Sequence, residues 1–204
     1  PHPPSVVSFD TVKSPAKRGL RKRPKVNREW ALMADGGPMD EVYDVLATPE
    51  GQERAFAKLD TIKDDITWYD SWSQAPVLLN DGGASMVQSA NGRIFAAIKD
   101  DGAPFEIVWD GHVYDLDVWA IMKGTQKKEE AMEFIKFATG TVPLSGMQDV
   151  AYGPTPAPAQ ALLPEDVKQD LPTAHLDEGL KADGIFWADY GESLGEKFNE
   201  WLLQ

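Results

Sequence analysis

Apolar residues recur at helical spacing in two long segments of the chain. Phe56, Leu59 and Ile62 share one face of a helix that Thr48-Pro49-Glu50 begins, because threonine is a strong N-cap and proline suits the first helical position. Near the C-terminus, five apolar residues follow one another at steps of 4, 4, 4 and 3, which places them on one helical face. That face must be buried against another element, and it comprises Phe186, Tyr190, Leu194, Phe198 and Trp201.

Shorter apolar runs, separated by Gly, Pro, Asn and Asp, predict further elements elsewhere. Strands are predicted at residues 18–22, 66–69, 84–88, 105–109 and 113–121. Helices are predicted at residues 29–34, 39–46, 76–80, 91–99 and 127–139. Because short strands alternate with helices, the sequence predicts an α/β fold in packed layers.

Charge is distributed unevenly along the chain. The formal net charge is −13 over 204 residues, but residues 1–28 carry +7 and residues 29–204 carry −20. The acidic body disfavours nucleic acid and mildly favours a cationic ligand, although solubility explains the acidity equally well. The basic run at residues 13–28 contains none of the aromatic residues that a nucleic-acid-binding arm needs. We therefore expect a solvated outer edge there, and no nucleic-acid partner.

The sequence offers little that a catalytic or metal site requires. There are no cysteines, which excludes disulfides, thiolate nucleophiles and Cys-based metal sites. His2, His112 and His175 stand singly, so neither a zinc site nor a histidine-dependent triad is expected. Neither the glycine-rich phosphate-binding motifs nor the GxSxG nucleophile motif occurs. We expect a protein that is not an enzyme, without a metal or a cofactor.

One segment combines acidic and aromatic residues, a mixture that suits amine recognition. Residues 109–119 contain three aromatic residues and three acids. Asp115 and Asp117 lie two apart in a predicted strand and therefore point to the same face. There they would either raise the pKa of one carboxyl, as a general acid requires, or hold an ammonium group. Either aspartate could instead cap a helix or face solvent, and aromatic residues in a strand are more often core than ligand contacts.

Six runs of the sequence carry a resemblance to a known family. They are KRGLRKRPKVNREWALMADG, YDVLATPEGQERAFAKLDTIKDDI, NGRIFAAI, PFEIVWDGHVYDLDVWAI, KGTQKKEEAMEFIKFATG and AYGPTP. In the same order, they resemble pieces of the bacterial periplasmic solute-binding proteins of ABC importers, of the spermidine/putrescine-binding type. The resemblance extends from about Phe9 onward. Related members of that family bind γ-aminobutyrate (GABA) or other small amines, so the ligand class is implied more firmly than the ligand.

The resemblance implies a fold, a location and a partner. Such proteins have a two-lobed, type II periplasmic-binding fold, hold ligand in the interlobe cleft and deliver it to the membrane permease of an ABC importer. This chain would be the C-terminal portion, with one nearly complete lobe and the returning part of the other. Residues 1–112 would form the core of the second lobe, residues 113–150 the returning strand and helix of the first lobe, and residues 151–204 C-terminal helices that pack back on the second lobe. A periplasmic, or at least extracytoplasmic, location follows.

The resemblance also implies ligand-binding residues. Asp117 matches an acidic residue that grips a ligand amine, with Tyr114 and Asp115 beside it at the hinge. The other matched positions are Trp68, Asp70 and Gln74 of a cleft-facing loop, Asn91 of an aromatic-Asn-Gly motif, Glu29 near the start of the first helix, and Tyr152 of the Y(G)PTP loop. For each of these except Asp117, packing or capping is an equal alternative.

Four positions depart from the pattern of the family, among them Met122 and Ala16, which replace a usual Pro and Gly. Ala90 stands where the family usually has Tyr or Trp, which removes one wall of an aromatic box and about 1 to 2 kcal/mol of cation–π attraction. Trp72 replaces a small residue, usually Gly, in the cleft loop, where its ring would fill space meant for ligand.

Two functions follow from these observations. The first is a substrate-binding component of an ABC importer for a small amine, either putrescine, spermidine or a GABA-like compound. The second is a truncated or diverged solute-binding scaffold that acts as a folded interaction module without binding ligand. An incomplete first lobe would leave apolar surface exposed, so a homodimer through that surface is also expected.

Overall fold

The computed structural model describes Phe9 and residues 16–204. Contacts divide the chain into two compact units: unit 1 runs up to Val113 and resumes from Glu178 to Gln204, and unit 2 comprises Tyr114–Asp177. Unit 1 is therefore built from two stretches of chain with unit 2 inserted between them. Residues 151–177 group with residues 114–150 in unit 2, whereas the sequence grouped residues 151–204 together. His2 and Lys13 lie outside the described residues.

The elements alternate between short strands and helices, in agreement with the predicted α/β class. The strands are β1 (Arg18–Arg21), β2 (Ile66–Tyr69), β3 (Met86–Val87), β4 (Val113–Tyr114) and β5 (Leu180–Lys181). The helices are α1 (Asn27–Ala34), α2 (Val42–Leu46), α3 (Pro49–Asp60), α4 (Gln74–Asn80), α5 (Asn91–Asp101), α6 (Lys128–Ala138), α7 (Thr141–Ser145), α8 (Ala157–Gln160), α9 (Glu165–Lys168) and α10 (Gly184–Leu202). Within the described part of the chain, no helix has both the length and the apolar character needed to cross a membrane.

The sheet of unit 1 is parallel, with strand order β2-β1-β3. In register, Arg18 lies opposite Ile66 on one side and Met86 on the other. The central strand needs glycine at position 19, because a Cβ atom there would lie 2.8 Å from Cγ1 of Val87. Parallel strands require crossover connections, which α1–α3 and α4 provide, and the three strands therefore end at one common edge.

The aromatic face of α10 is buried, as its periodicity predicts. Leu194 and Phe198 have no exposed surface, and they share one apolar cluster with residues of β1, α1, α2 and α3. The Trp201 indole nitrogen donates to Oδ1 of Asp60 at 2.7 Å, which satisfies the polar end of the ring. Removing a buried aromatic side chain typically costs about 3–5 kcal/mol. Packing of α10 is therefore a principal contribution to the stability of unit 1.

The start of α3 is fixed by a side-chain cap and a close backbone contact. Oγ1 of Thr48 accepts the Gly51 N–H at 3.0 Å, and Pro49 occupies the first helical position, as the sequence predicts. Gly51 is buried, and a Cβ atom there would collide with the Val45 carbonyl. The turn from α2 into α3 is thus possible only because residue 51 lacks a side chain.

Two predicted strands are wrong. Residues 105–109 form no strand, and the predicted strand at 113–121 is reduced to β4. Both segments are rich in β-branched and aromatic residues, but a strand also needs a neighbour whose N–H and C=O groups complete its hydrogen bonds. Next to β4, the Leu180 N–H donates to the His112 carbonyl at 2.7 Å. No described strand pairs with residues 105–109.

The basic run is not uniformly solvated, which corrects the expectation of a solvated edge. Arg18 and Arg28 are 1% and 0% exposed, whereas Lys22 and Arg23 are exposed. Nη2 of Arg28 donates to the Gln52 carbonyl at 2.8 Å, and the guanidinium lies over the ring of Phe56 at 4.0 Å. Burial lowers the pKa of Arg28 to about 10. This part of the run stabilises the α1–α3 packing.

Unit 2 leaves much of its apolar surface exposed. No residue of α6 is buried, and Phe134 and Phe137 are 53% and 69% exposed. The ring of Phe134 contacts that of Trp119 edge-on, with centroids 5.2 Å apart. Ala131, Ile135 and Ala138 lie on the same helix and are only half-buried.

We predict opposite effects for alanine at two glycines of unit 1. Gly51→Ala should destabilise the protein by roughly 1–3 kcal/mol, because the new methyl group collides with the Val45 carbonyl. Gly195→Ala in α10 meets nothing within 4 Å and should be neutral or stabilising by up to about 1 kcal/mol. Urea denaturation of both variants gives these free energies. Equal midpoints for the two variants would contradict the packing of α2 on α3.

Candidate functional site

The carboxyl ends of β1, β2 and β3 form the candidate site of unit 1. Ligands of open α/β folds bind outside the carboxyl ends of parallel strands, where backbone and side-chain polar groups converge. Three sequence-predicted residues lie at this edge: Asp70 directly after β2, Gln74 at the start of α4, and Asn91 at the start of α5. The structure therefore brings Asp70, Gln74 and Asn91 to one edge.

The loop from β2 to α4 is held closed by Gln74. Its Oε1 accepts the N–H groups of Asp70 at 3.1 Å and Ser71 at 2.8 Å. Oδ2 of Asp70 lies 3.9 Å from Nζ of Lys22, and both side chains are substantially solvated. Gln74 therefore positions the loop, while the Asp70 carboxylate stays accessible.

Gln88 joins all three strand ends. It is 3% exposed, and its Oε1 accepts the backbone N–H of Arg21 at 2.8 Å. The Tyr69 hydroxyl donates to the Gln88 carbonyl. Burial raises the pKa of Tyr69 well above its ordinary value, so the hydroxyl keeps its proton and remains a donor. The edge is thus a rigid arrangement, which suits a binding site.

Trp72 lies in the same loop and is half-buried. The guanidinium of Arg21 stands 4.3 Å from the centroid of its ring, and Nε of Arg21 donates to the Asp70 carbonyl at 3.1 Å. The Tyr69 ring meets the Trp72 ring at 6.4 Å with an interplanar angle of 60°. Two residues of the strand ends thereby hold the indole in place.

Trp68 lies away from this edge, contrary to its predicted cleft position. Its ring packs edge-on against those of Phe198 and Trp201, at 5.8 and 5.9 Å. Side chains alternate between the faces of a strand, so Trp68 points to the α10 side of the sheet while Tyr69 points to the other. Trp68 therefore has a packing role.

Glu29 is also placed differently from its predicted role as a ligand contact. It is 0% exposed, and its Oε1 accepts from Nε1 of Trp187 at 2.9 Å and from the Tyr43 hydroxyl at 3.1 Å. Oε2 accepts the Val26 N–H at 2.8 Å. Burial raises the pKa of Glu29 above its ordinary value despite these donors. The carboxyl links α1, α2 and α10 and is not available to a ligand.

The remaining predicted residues belong to unit 2. Asp115 and Asp117 are exposed, Tyr114 is half-buried and Tyr152 is 49% exposed. Oδ1 of Asp115 accepts the Leu116 N–H at 2.9 Å. The segment after Tyr114 is not a strand, so the argument that both aspartates share a face no longer applies. Asp117 has no hydrogen-bond or ion-pair partner among the described residues.

Sequence analysis did not identify Arg21, Gln88 and Arg93 as residues of this edge. Arg21 is the last residue of β1, Gln88 comes directly after β3, and Arg93 is exposed in the first turn of α5. Polar residues at the ends of parallel strands were the available signal. Among the described residues, no three His, Asp or Glu side chains converge as metal ligands.

Comparison with known proteins agrees with this architecture. The family described as bacterial extracellular solute-binding protein matches residues 4–173. The chain belongs to this family. The family consists of non-catalytic solute-binding proteins, which agrees with the prediction that the chain is not an enzyme.

Among curated solute-binding proteins, a γ-aminobutyric acid-binding protein of Pseudomonas aeruginosa is 45% identical over 99% of this chain. The chain spans 58% of that relative's length. A solved GABA receptor is 30% identical with a TM-score of 0.82, over 97% of this chain and 60% of the other. An ABC transporter substrate-binding protein of Bradyrhizobium japonicum is 29% identical with a TM-score of 0.86, over 99% and 63% of the two chains. The fold is therefore that of type II periplasmic-binding proteins, of which the chain represents a part.

We predict that Glu29 makes stability depend on pH. Its folded pKa lies above the ordinary 4.5, so its stabilising contribution is full below pH 4.5 and is lost as pH rises through the folded pKa. In that window, the unfolding free energy of the wild type minus that of Glu29→Gln should fall by up to about 1.4 kcal/mol per pH unit. Denaturant titrations across this range measure it, with the exposed Glu53→Gln of α3 as control. A difference that does not change with pH would contradict the prediction.

Proposed function

We propose that the complete protein is the extracytoplasmic substrate-binding component of an ABC importer for a small amine. The preferred ligand is a GABA-like compound, and putrescine and spermidine are the alternatives. Ligand capture is non-catalytic and occurs in the cleft between the two lobes, which the resemblance to periplasmic solute-binding proteins implies. The observation that carries the proposal is the 45% identity to a GABA-binding protein across 99% of this chain. The 30% identity to a solved GABA receptor supports the same ligand class.

Asp117 is the proposed partner of the ligand's ammonium group. Its carboxylate is exposed and has no hydrogen-bond or ion-pair partner among the described residues, so it can accept from a ligand without breaking an existing interaction. An ammonium–carboxylate hydrogen bond is charge-assisted and therefore stronger than a neutral one. Tyr114, Asp115 and Tyr152 of the same unit are proposed as its neighbours.

Asp70, Gln74 and Asn91 are the proposed ligand contacts of unit 1. The same edge of the sheet carries two cations besides Arg21, namely Lys22 after β1, which lies 3.9 Å from Asp70, and Arg93 in the first turn of α5. Cations suit the carboxylate of an ω-amino acid and repel the second ammonium group of a diamine. This charge pattern favours a GABA-like ligand over a polyamine.

The same proposal includes the cellular location, the membrane partner and the assignment of residues to the two lobes. Family members are described as extracellular, and we propose a periplasmic location with an ABC permease as the membrane partner. Residues 1–112 are proposed as the core of the second lobe and residues 113–150 as the returning part of the first. Residues 151–204 would then return the chain to the second lobe.

A second candidate is a folded interaction module that binds no ligand and forms a homodimer. The observation that favours it is the apolar surface of unit 2, where Val118, Phe137 and Val142 are 82%, 69% and 70% exposed. Exposed apolar patches commonly mark protein–protein interfaces. The two candidates differ in what they predict for ligand binding and for mass in solution.

Asp117→Asn should weaken binding of GABA to the full-length protein by about 10- to 100-fold, because one charge-assisted hydrogen bond is lost. Isothermal titration calorimetry with GABA, putrescine and spermidine measures this effect. Asp166→Asn, at another exposed aspartate of unit 2, is the matched control and should bind as the wild type does. Wild-type protein that binds none of the three amines would refute the proposed function.

Light scattering coupled to size-exclusion chromatography distinguishes the second candidate. The binding-protein proposal predicts that the full-length protein is a monomer with or without ligand. The interaction-module alternative predicts a dimer, and Phe137→Glu should dissociate it because a charge would be placed in the interface. A dimer that gives no heat with any amine would favour the alternative.

A further inference from the structure

Trp72 is held at the carboxyl edge of the unit 1 sheet, beside the residues proposed to contact ligand. Gln74 fixes its loop through the backbone N–H groups of Asp70 and Ser71. Arg21 then fixes the ring itself, with its guanidinium 4.3 Å from the ring centroid. The indole is therefore a fixed wall of this edge.

Arg21 is in turn hydrogen-bonded to the neighbouring strand ends through both its side chain and its backbone. Its Nε donates to the Asp70 carbonyl at 3.1 Å, and its backbone N–H donates to Oε1 of the buried Gln88 at 2.8 Å. Moving the Trp72 ring away would separate it from a guanidinium whose Nε is bonded to the Asp70 carbonyl. A longer ligand cannot displace the ring without breaking the cation–π contact.

The charge next to the ring matters as much as its size. A positive guanidinium already occupies one face of Trp72, so that face is closed to a ligand ammonium group. A second ammonium arriving near the ring also meets the charge of Arg21. The ring and its cation together disfavour long ligands and ligands with several positive charges.

We infer that Trp72, held by Arg21, determines ligand specificity: it admits short amino compounds with a single ammonium group and excludes long polyamines. The inference rests on the proposed function, whose ligand class it narrows. In this inference, Trp72 selects ligands by their length and charge, and Arg21 positions the Trp72 ring. Neither residue is needed for the amine contact proposed for Asp117.

The test compares ligand profiles of the full-length protein by calorimetry with GABA, putrescine and spermidine. The wild type should bind GABA at least about tenfold more tightly than spermidine. Trp72→Gly should raise the spermidine-to-GABA affinity ratio by about tenfold or more, and Arg21→Met should raise it in the same direction by a smaller factor. Trp72→Phe keeps a ring in place and should retain most of the wild-type preference.

The outcomes separate the inference from the proposed function. An unchanged affinity ratio in Trp72→Gly and Arg21→Met, with GABA binding retained, overturns the inference and leaves the proposed function intact. Wild-type protein that prefers spermidine also overturns it. Binding of none of the amines by the wild type refutes the proposed function, and the inference with it. If circular dichroism shows that Trp72→Gly does not fold, the spermidine-to-GABA affinity ratio of Arg21→Met decides whether the inference holds.

Discussion

The aromatic face of α10 packs on the cluster formed by β1, α1, α2 and α3, and the positions of many other unit 1 residues depend on that contact. It brings Trp201 within reach of Asp60 and Trp187 within reach of Glu29. The packing of α10 also positions Lys63. Its Nζ donates to the Trp201 carbonyl at 2.6 Å and lies 4.2 Å from the centroid of the Trp201 ring. Without this helix, the ring of Trp68 and part of the apolar cluster of unit 1 would be exposed to water.

The β2 strand separates two kinds of chemistry. Its one face carries Trp68 into the α10 core, where the ring contributes packing. Its other face carries Tyr69, whose hydroxyl bonds to Gln88, and the chain then leaves the strand at Asp70. Packing against α10 and the joining of the strand ends thereby fall to adjacent residues of the same short strand, because side chains alternate between its two faces.

Local signals predicted much of the fold. The cap at Thr48 and the spacing of Phe198 and Trp201 depend on neighbours within one helix, and the structure agrees with both. Residues 105–109 have equally strong local signals but form no strand, because pairing depends on a distant segment that propensity does not report. Within the candidate site, the structure places Asp70, Gln74 and Asn91 of the family-matched residues at the sheet edge, and their contact with ligand stays a prediction. For Trp68 and Glu29 the structure agrees with the packing alternative, which sequence could not choose because a family match gives position along the chain and not the face or depth of a side chain.

The insertion of unit 2 within unit 1 also has a consequence for how the chain acquires its structure. The Trp187–Glu29 and Lys63–Trp201 hydrogen bonds join residues 158 and 138 positions apart. Contacts of such separation slow folding, because a long loop must close before they form. During synthesis, β1 to α5 emerge well before α10 and remain with an uncovered apolar face. The apolar cluster of unit 1 is therefore completed only after α10 has been synthesised.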